Sequence, residues 1–180
     1  MNRSDRLQKV VALPEEVIQM ISFSIGSELF GVRILVVQEI IIMSTITEIP
    51  NTPDFIEGVI NLRGNIIPVL DLRKRLRLRS TGPTPGGQRL GSRILVVEID
   101  QAVTGFIVDS VSKVLTIPAS RLFPAPEIIV AGVQSQYISG VVHLDEGIMV
   151  VLDFRKILTI EEKSALEKVP EELPEAAEAR

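Results

Sequence analysis

An all-β fold with short helices, arranged as a tandem pair of similar β units, is what this sequence predicts. Three observations carry that reading. First, residues 58–76 (GVINLRGNIIPVLDLRKRL) and 140–158 (GVVHLDEGIMVVLDFRKIL) align without a gap, 82 residues apart, and agree at about half of their positions. Second, a weaker echo precedes each copy: IGSELFG at 25–31 lines up with IDQAVTG at 99–105, 74 residues apart. The second unit has therefore gained eight residues between its early and late parts, 82 minus 74. Third, apolar residues make up 46% of the chain but aromatics only 4%, so Val, Ile and Leu fill the core, a composition that favours strands. Two fused, related barrels have a seam, and a seam is a natural place to bind a partner.

The elements follow in order. Residues 18–25 alternate in their second half, with Ile21, Phe23 and Ile25 on one face and Ser22 and Ser24 on the other, the pattern of a half-buried strand. Gly26-Ser27-Glu28 turns the chain into a second strand over 29–33. Residues 34–43 are apolar apart from Gln38 and Glu39, and read as a buried strand or as one that begins with a helical turn. Thr52 is placed to cap a short helix with Pro53 at its first position and Asp54 in its first turn. Residues 58–62, the Arg63-Gly64-Asn65 turn and residues 66–70 read as a hairpin, with Pro68 predicting an edge or bulged second strand. Asp71 caps a short basic helix over 72–76.

The Gly-, Pro- and Ser-rich stretch 80–92 is loop chemistry and marks the boundary between the units. Residues 93–99, an Asp100-Gln101 turn and residues 103–108 form the next hairpin, and 111–117 another strand. Pro118, Pro124 and Pro126 punctuate the extra segment of the second unit. Residues 137–143 and 148–152 form the last hairpin, and Asp153 caps 154–158. The organisation is thus an N-terminal extension over 1–17, a single domain over 18–158 made of two units (about 18–79 and 93–158), and a helical extension with an acidic tail over 159–180.

Composition excludes several functions. The chain has no Cys, which removes disulfides, thiolate nucleophiles and Cys-ligated zinc. With no secretory segment at its N-terminus, the expected address is the cytoplasm. Apolar runs are too short for a membrane span, and a net charge of −4 points away from nucleic acid. His143, the only histidine, sits at the strand position that matches Asn61 and reads as structural. Metal binding would need several ligands, and the carboxylates are spread among turns and caps. The loop 82–87 lacks the Lys-Ser/Thr of a phosphate loop, and Ser110, Ser112 and Ser120 have no base at a recognisable spacing. No cofactor is expected. The basic cluster Arg73, Lys74, Arg75, Arg77 and Arg79 reads as a solvated helix face. The chemistry is that of a protein that binds, not one that reacts.

Five motifs in order and spacing resemble the CheW-like domain of bacterial chemotaxis: VQEI at 37–40, IPNTPDFI at 49–56, GVINLRG at 58–64, IPVLDLR at 67–73, and GFIVDSV at 105–111 with YISGV at 137–141. The match runs over about 18–158. The resemblance implies two five-stranded β-barrels whose elements partly interchange, and a non-enzymatic adaptor that couples chemoreceptors (methyl-accepting chemotaxis proteins) to the histidine kinase CheA. An adaptor of the same fold in another receptor–kinase pathway, such as twitching motility or development, is the alternative. Carried over by motif, the receptor's cytoplasmic hairpin tip would dock between the barrels on Val37, Glu39, Arg63, Gly105, Val111 and Val114. The regulatory domain of CheA would use a different face, including Phe123 and Ile128. The implied state is a monomer in isolation, cytoplasmic, recruited to membrane receptor arrays without inserting in the membrane.

Overall fold

The computed structural model describes residues 15–78, 91–126, 135–159 and 162. Alternating and doubly apolar runs give β1 (Val17–Ile25), β2 (Glu28–Arg33), β3 (Val37–Ile42), β4 (Ile56–Leu62), β5 (Asn65–Asp71), β6 (Arg93–Ile99), β7 (Ala102–Val108), β8 (Ser110–Pro118), β9 (Leu122–Phe123), β10 (Ile138–Leu144) and β11 (Gly147–Leu152). One short helix, α1 (Leu72–Arg75), follows β5. The turns are local chemistry. Arg63 and Gly64 both take positive φ (56° and 93°), as do Asp100 and Gln101 (51° and 68°), which suits two-residue hairpins.

Two sheets form, with orders β8-β1-β2-β11-β10-β9 and β3-β6-β7-β5-β4. Each takes its early hairpin from one repeat and its late hairpin from the other. The exchange is stitched by two parallel pairings, β2 with β11 and β5 with β7. These are the same contact made twice. Gly31 faces Val151 and Gly105 faces Val69, and the 74- and 82-residue offsets relate one pair to the other. The halves are therefore similar β units with interchanged elements, related by a pseudo-twofold. The sheets count six and five strands because β9, two residues long and paired to β10 through Phe123–Val141, has a single bridge as its counterpart, Thr47–Val59. Eighteen residues separate Phe123 from Val141 but twelve separate Thr47 from Val59, so six of the eight extra residues lie there.

Burial follows the strand period. Val96 and Ile94 point into a cluster with Ile60, Ile67, Val69 and Ile107 inside the five-stranded unit. Met20, Ile117, Val142, Met149 and Val151 fill the six-stranded unit. The alternate residues, among them Leu95, Val97, Phe23, Phe106 and Leu70, join one large core between the sheets. Phe106 and Phe154 meet edge to face there, with centroids 4.7 Å apart.

The two caps form as expected. Asp71 Oδ1 accepts from the Arg73 and Lys74 N–H groups at 2.8 and 3.3 Å, and Asp153 accepts from the Arg155 N–H at 3.2 Å. Three expectations are corrected. Thr52 caps no helix: its hydroxyl donates to the Ile49 carbonyl at 2.9 Å, and the Ile56 N–H closes a single turn on Pro53 before β4 begins. Pro68 is not on an edge strand, since β5 lies between β4 and β7. Its partner Val59 sends both its N–H and C=O to Thr47, so the missing proline N–H faces β7, one residue before that parallel ladder starts at Val69. The basic cluster after Asp71 is not wholly solvated. Arg73 pairs with Asp109. The Arg75 guanidinium lies 4.3 Å from the Phe55 ring centroid and 5.3 Å from that of Tyr137, while its Nε donates to the Ile157 carbonyl at 2.7 Å. Two further bonds, 3.0 and 2.9 Å, join it to Glu162. Phe55 matches Tyr137 and Arg75 matches Ile157 in the repeat, so Arg75 sits where the two halves meet. The 1–14 part of the N-terminal extension, the loop 79–90 and, apart from Glu162, the stretch 160–180 lie outside the described residues.

Candidate partner-binding site

Strand β3 leaves sheet-edge apolar side chains in the open because it has a neighbour, β6, on one side only. Val37 is half-buried against the core between the sheets, while Ile40 and Ile42 are exposed. A register shift between Val37 and Glu39 re-aims the strand at that point. Glu39 then reaches the tip of the β4–β5 hairpin, where its carboxylate accepts from Arg63 at 2.9 Å. The Arg63 side chain remains 77% exposed, so the pair is open to water and to a partner. Together they border a depression of about 390 Å³ at this end of the five-stranded unit, shared with Gln38, Leu62, Ile66 and Val103.

The other sheet repeats the pattern. Val111 and Val114 lie on β8, also an edge strand, and pair with Phe23 and Ile21 of β1. Val111 is half-buried against the same central core as Val37, and Val114 is 54% exposed. The 74-residue offset maps Val37 onto Val111 and Ile40 onto Val114. Sequence reasoning missed Ile40, although the offset was enough to find it from Val114.

Gly105 is different. It is buried in β7, where a Cβ would stand 2.8 Å from Ile94 Cγ2 and 3.4 Å from Val69 Cγ2. Its side-chain position points into the five-stranded unit and not toward the exposed edges. Phe123 is 46% exposed and meets the His143 ring edge to face at 5.6 Å, on the outer part of the six-stranded sheet. Ile128 lies outside the described residues. The structure thus joins Glu39 to Arg63, sets Val37 and Val111 against one core, buries Gly105, and keeps Phe123 apart on β9. Among the described residues no His, Cys, Asp or Glu cluster is placed to hold a metal ion, and no helix is long and apolar enough to cross a membrane.

A family model described as the CheW-like domain matches residues 19–162, which takes in both sheets apart from the first two residues of β1. This chain belongs to the CheW-like domain family. Among relatives of this CheW-like domain, "Chemotaxis protein CheW" of Klebsiella aerogenes is 36% identical over 84% of this chain and 87% of its own length. The protein of the same name from Treponema pallidum is 31% identical over 87% of this chain and 91% of its own. Among solved structures, the scaffolding protein TtCheW from Thermoanaerobacter tengcongensis aligns with TM-score 0.71 and 34% identity, covering 82% of this chain and 96% of that one.

Proposed function

We propose that this CheW-like domain is a non-enzymatic adaptor of bacterial chemotaxis, coupling chemoreceptors to the histidine kinase CheA. The observation that carries the reading is the family match across both sheets, with relatives named for chemotaxis along most of their own length. The receptor's cytoplasmic hairpin tip docks on the edges of the two sheets, with Val37, Val111 and Val114 as apolar anchors and Glu39 with Arg63 setting register. Gly105 contributes from inside, by letting β7 pack closely on Ile94. The regulatory domain of CheA takes the face that carries Phe123 and the segment holding Ile128. The protein is a cytoplasmic monomer on its own and is recruited to membrane receptor arrays.

A second reading keeps the adaptor role but changes the pathway. It is favoured by one relative, "Protein FrzA" of Myxococcus xanthus, 31% identical over 86% of this chain. Co-sedimentation with chemoreceptor-containing membranes, with and without CheA, tests the first reading. The expected result is recruitment of the chain by receptor and a larger recruited fraction with kinase present. Arg63→Glu should fold normally yet lose about 2–5 kcal/mol of receptor binding. No recruitment of the native chain by any chemoreceptor of its own cell would sink the chemotaxis assignment. Undiminished binding by Arg63→Glu would remove Arg63 from the contact.

A further inference from the structure

The apolar anchors on the edge strands have a spacing that a regular strand forbids. Side chains three residues apart on a strand point to opposite faces. Val111 and Val114 are three apart, yet they stand opposite Phe23 and Ile21 of β1, which are two apart and both belong to the core between the sheets. Residues directly opposite in an antiparallel pair share a face, so both valines point to the side of that core. A bulge absorbs the extra residue: Ser112 and Lys113 together face the single residue Ser22. The 74-residue offset carries this bulge onto the one in β3, where Gln38 and Glu39 face Val96 while Val37 and Ile40 stand opposite Val97 and Leu95 or beside them. Each edge strand brings two anchors to one face by the same device.

The two bulges are held differently. In β3, Gln38 Nε2 donates to the Glu98 carboxylate. The counterparts of Gln38 and Glu98 are Ser112 and Ser24, which are too short to repeat that bond, and the Ser24 hydroxyl meets that of Ser110 at 2.7 Å instead. In β8 the hold comes from the partner strand. Ser22 is 1% exposed; its hydroxyl donates to the Lys113 carbonyl at 3.0 Å and accepts from the Lys113 N–H at 3.3 Å. Its counterpart in the other unit, Val96, carries no such group.

One buried hydroxyl thus engages both main-chain groups of the bulged residue. That matters because β8 is an edge strand, and Ser110, Ser112 and Lys113 are all exposed and polar. Their side chains do not say where the extra residue belongs. A bulge moved toward the start of β8 would put Ser112 opposite Phe23 and turn Val111 away from the core.

We propose that Ser22 is a positioning residue for partner binding: its hydroxyl fixes the bulge between Val111 and Val114 and so keeps both valines on the docking face. The inference rests on the receptor docking proposed above and deepens it.

Two substitutions in the full chain test it. Ser22→Ala removes the hydroxyl, whereas Ser22→Thr keeps it on a branched side chain like the one that Val96 places at the equivalent point. Ser22→Ala is expected to lose the nuclear Overhauser contact between the Val111 methyls and the Phe23 ring, and to exchange the Lys113 amide faster. The Val96 methyls should stay unshifted and report that the other unit is intact. Titrated with a soluble fragment of a chemoreceptor's cytoplasmic hairpin, Ser22→Ala should bind about five- to tenfold more weakly, the loss of one half-buried valine. Ser22→Thr should restore both the contact and the affinity. A native Val111 contact and native affinity in Ser22→Ala overturn the proposal. So does a loss that Ser22→Thr shares, which assigns Ser22 to packing alone. The Val111 contact is read without receptor, so the two failures are told apart: a native chain that keeps this contact but does not bind the hairpin overturns the docking reading, and the role given to Ser22 with it.

Discussion

Asp153 shows how much one side chain does at the end of a strand. Its carboxylate caps the turn at Phe154–Lys156 and holds Arg155. The Arg155 hydrogen bond, chiefly, keeps the Asp153 carboxyl below its ordinary value of 3.8, while partial burial opposes the shift. A depressed folded-state pKa means stability that is fully present above the unfolded value and is lost as pH falls through the folded one. Asp153→Asn should therefore lower the denaturation midpoint at pH 7, and the gap from the native protein should close below pH 3.8. A gap that does not narrow as the pH is lowered from 3.8 would refute the charge assignment. Arg63 poses the opposite case. It occupies φ 56°, a region that costs an L residue about 1–2 kcal/mol. Arg63→Gly is expected to leave stability unchanged or raise it by up to about 1 kcal/mol while weakening receptor binding. A fall in both would show that Arg63 is kept for the fold and not for a partner. The Asp71 and Asp153 caps were legible in the sequence because capping is local, within three residues. Thr52 misled because its hydroxyl found a carbonyl behind it before it could serve a helix ahead.

At the scale of elements, the hairpins were legible and their neighbours were not. Alternation and turn residues announce a pair such as β6 and β7, whereas nothing local says that β5 will pair in parallel with β7. That partner choice also decided Pro68 and the burial of Gly105, both of which depend on a strand far away in the chain. β9 was invisible because two residues become a strand only through their partner β10. The β4 and β10 strands each carry a register shift at a glycine, Gly58 and Gly140, where the neighbouring backbone crosses closely. A Cβ on Gly58 would lie 2.1 Å from the Thr47 carbonyl oxygen, and one on Gly140 would lie 2.6 Å from that of Phe123. Gly58 also has φ of 141°, a value that side-chain-bearing residues avoid. Both alanine variants should destabilise, Gly140→Ala by about 1–3 kcal/mol and Gly58→Ala by more. Urea denaturation ranks them, and the reverse order would contradict the crossing geometry.

For the whole molecule, the repeat predicted two similar units, and the structure adds that neither is made of one half of the sequence. Each sheet needs a hairpin from both repeats. A chain cut within 79–90 should therefore yield two fragments that lack stable sheet structure separately and regain it on mixing, read by circular dichroism and by near-UV signals from the core. Independent folding of either fragment would show that the parallel seams are dispensable. The exposed edges at β3 and β8 belong to this scale too, because the pseudo-twofold brings Val37 and Val111 to the same core and leaves Ile40 and Val114 uncovered.

The passage of the chain between the two sheets has a mechanical consequence. Strands β3 to β7 form one sheet, while β1, β2 and β8 to β11 form the other, so the chain crosses between them twice, through Ile34–Val36 and through Asp109. A body joined by one linker opens at that linker, like a pair of jaws. Here, spreading the sheets pulls on both crossings at once and strips the apolar core packed between them, Phe23, Leu95, Phe106 and Phe154 among it. Two tethers and a shared core oppose the swing that a single joint would allow.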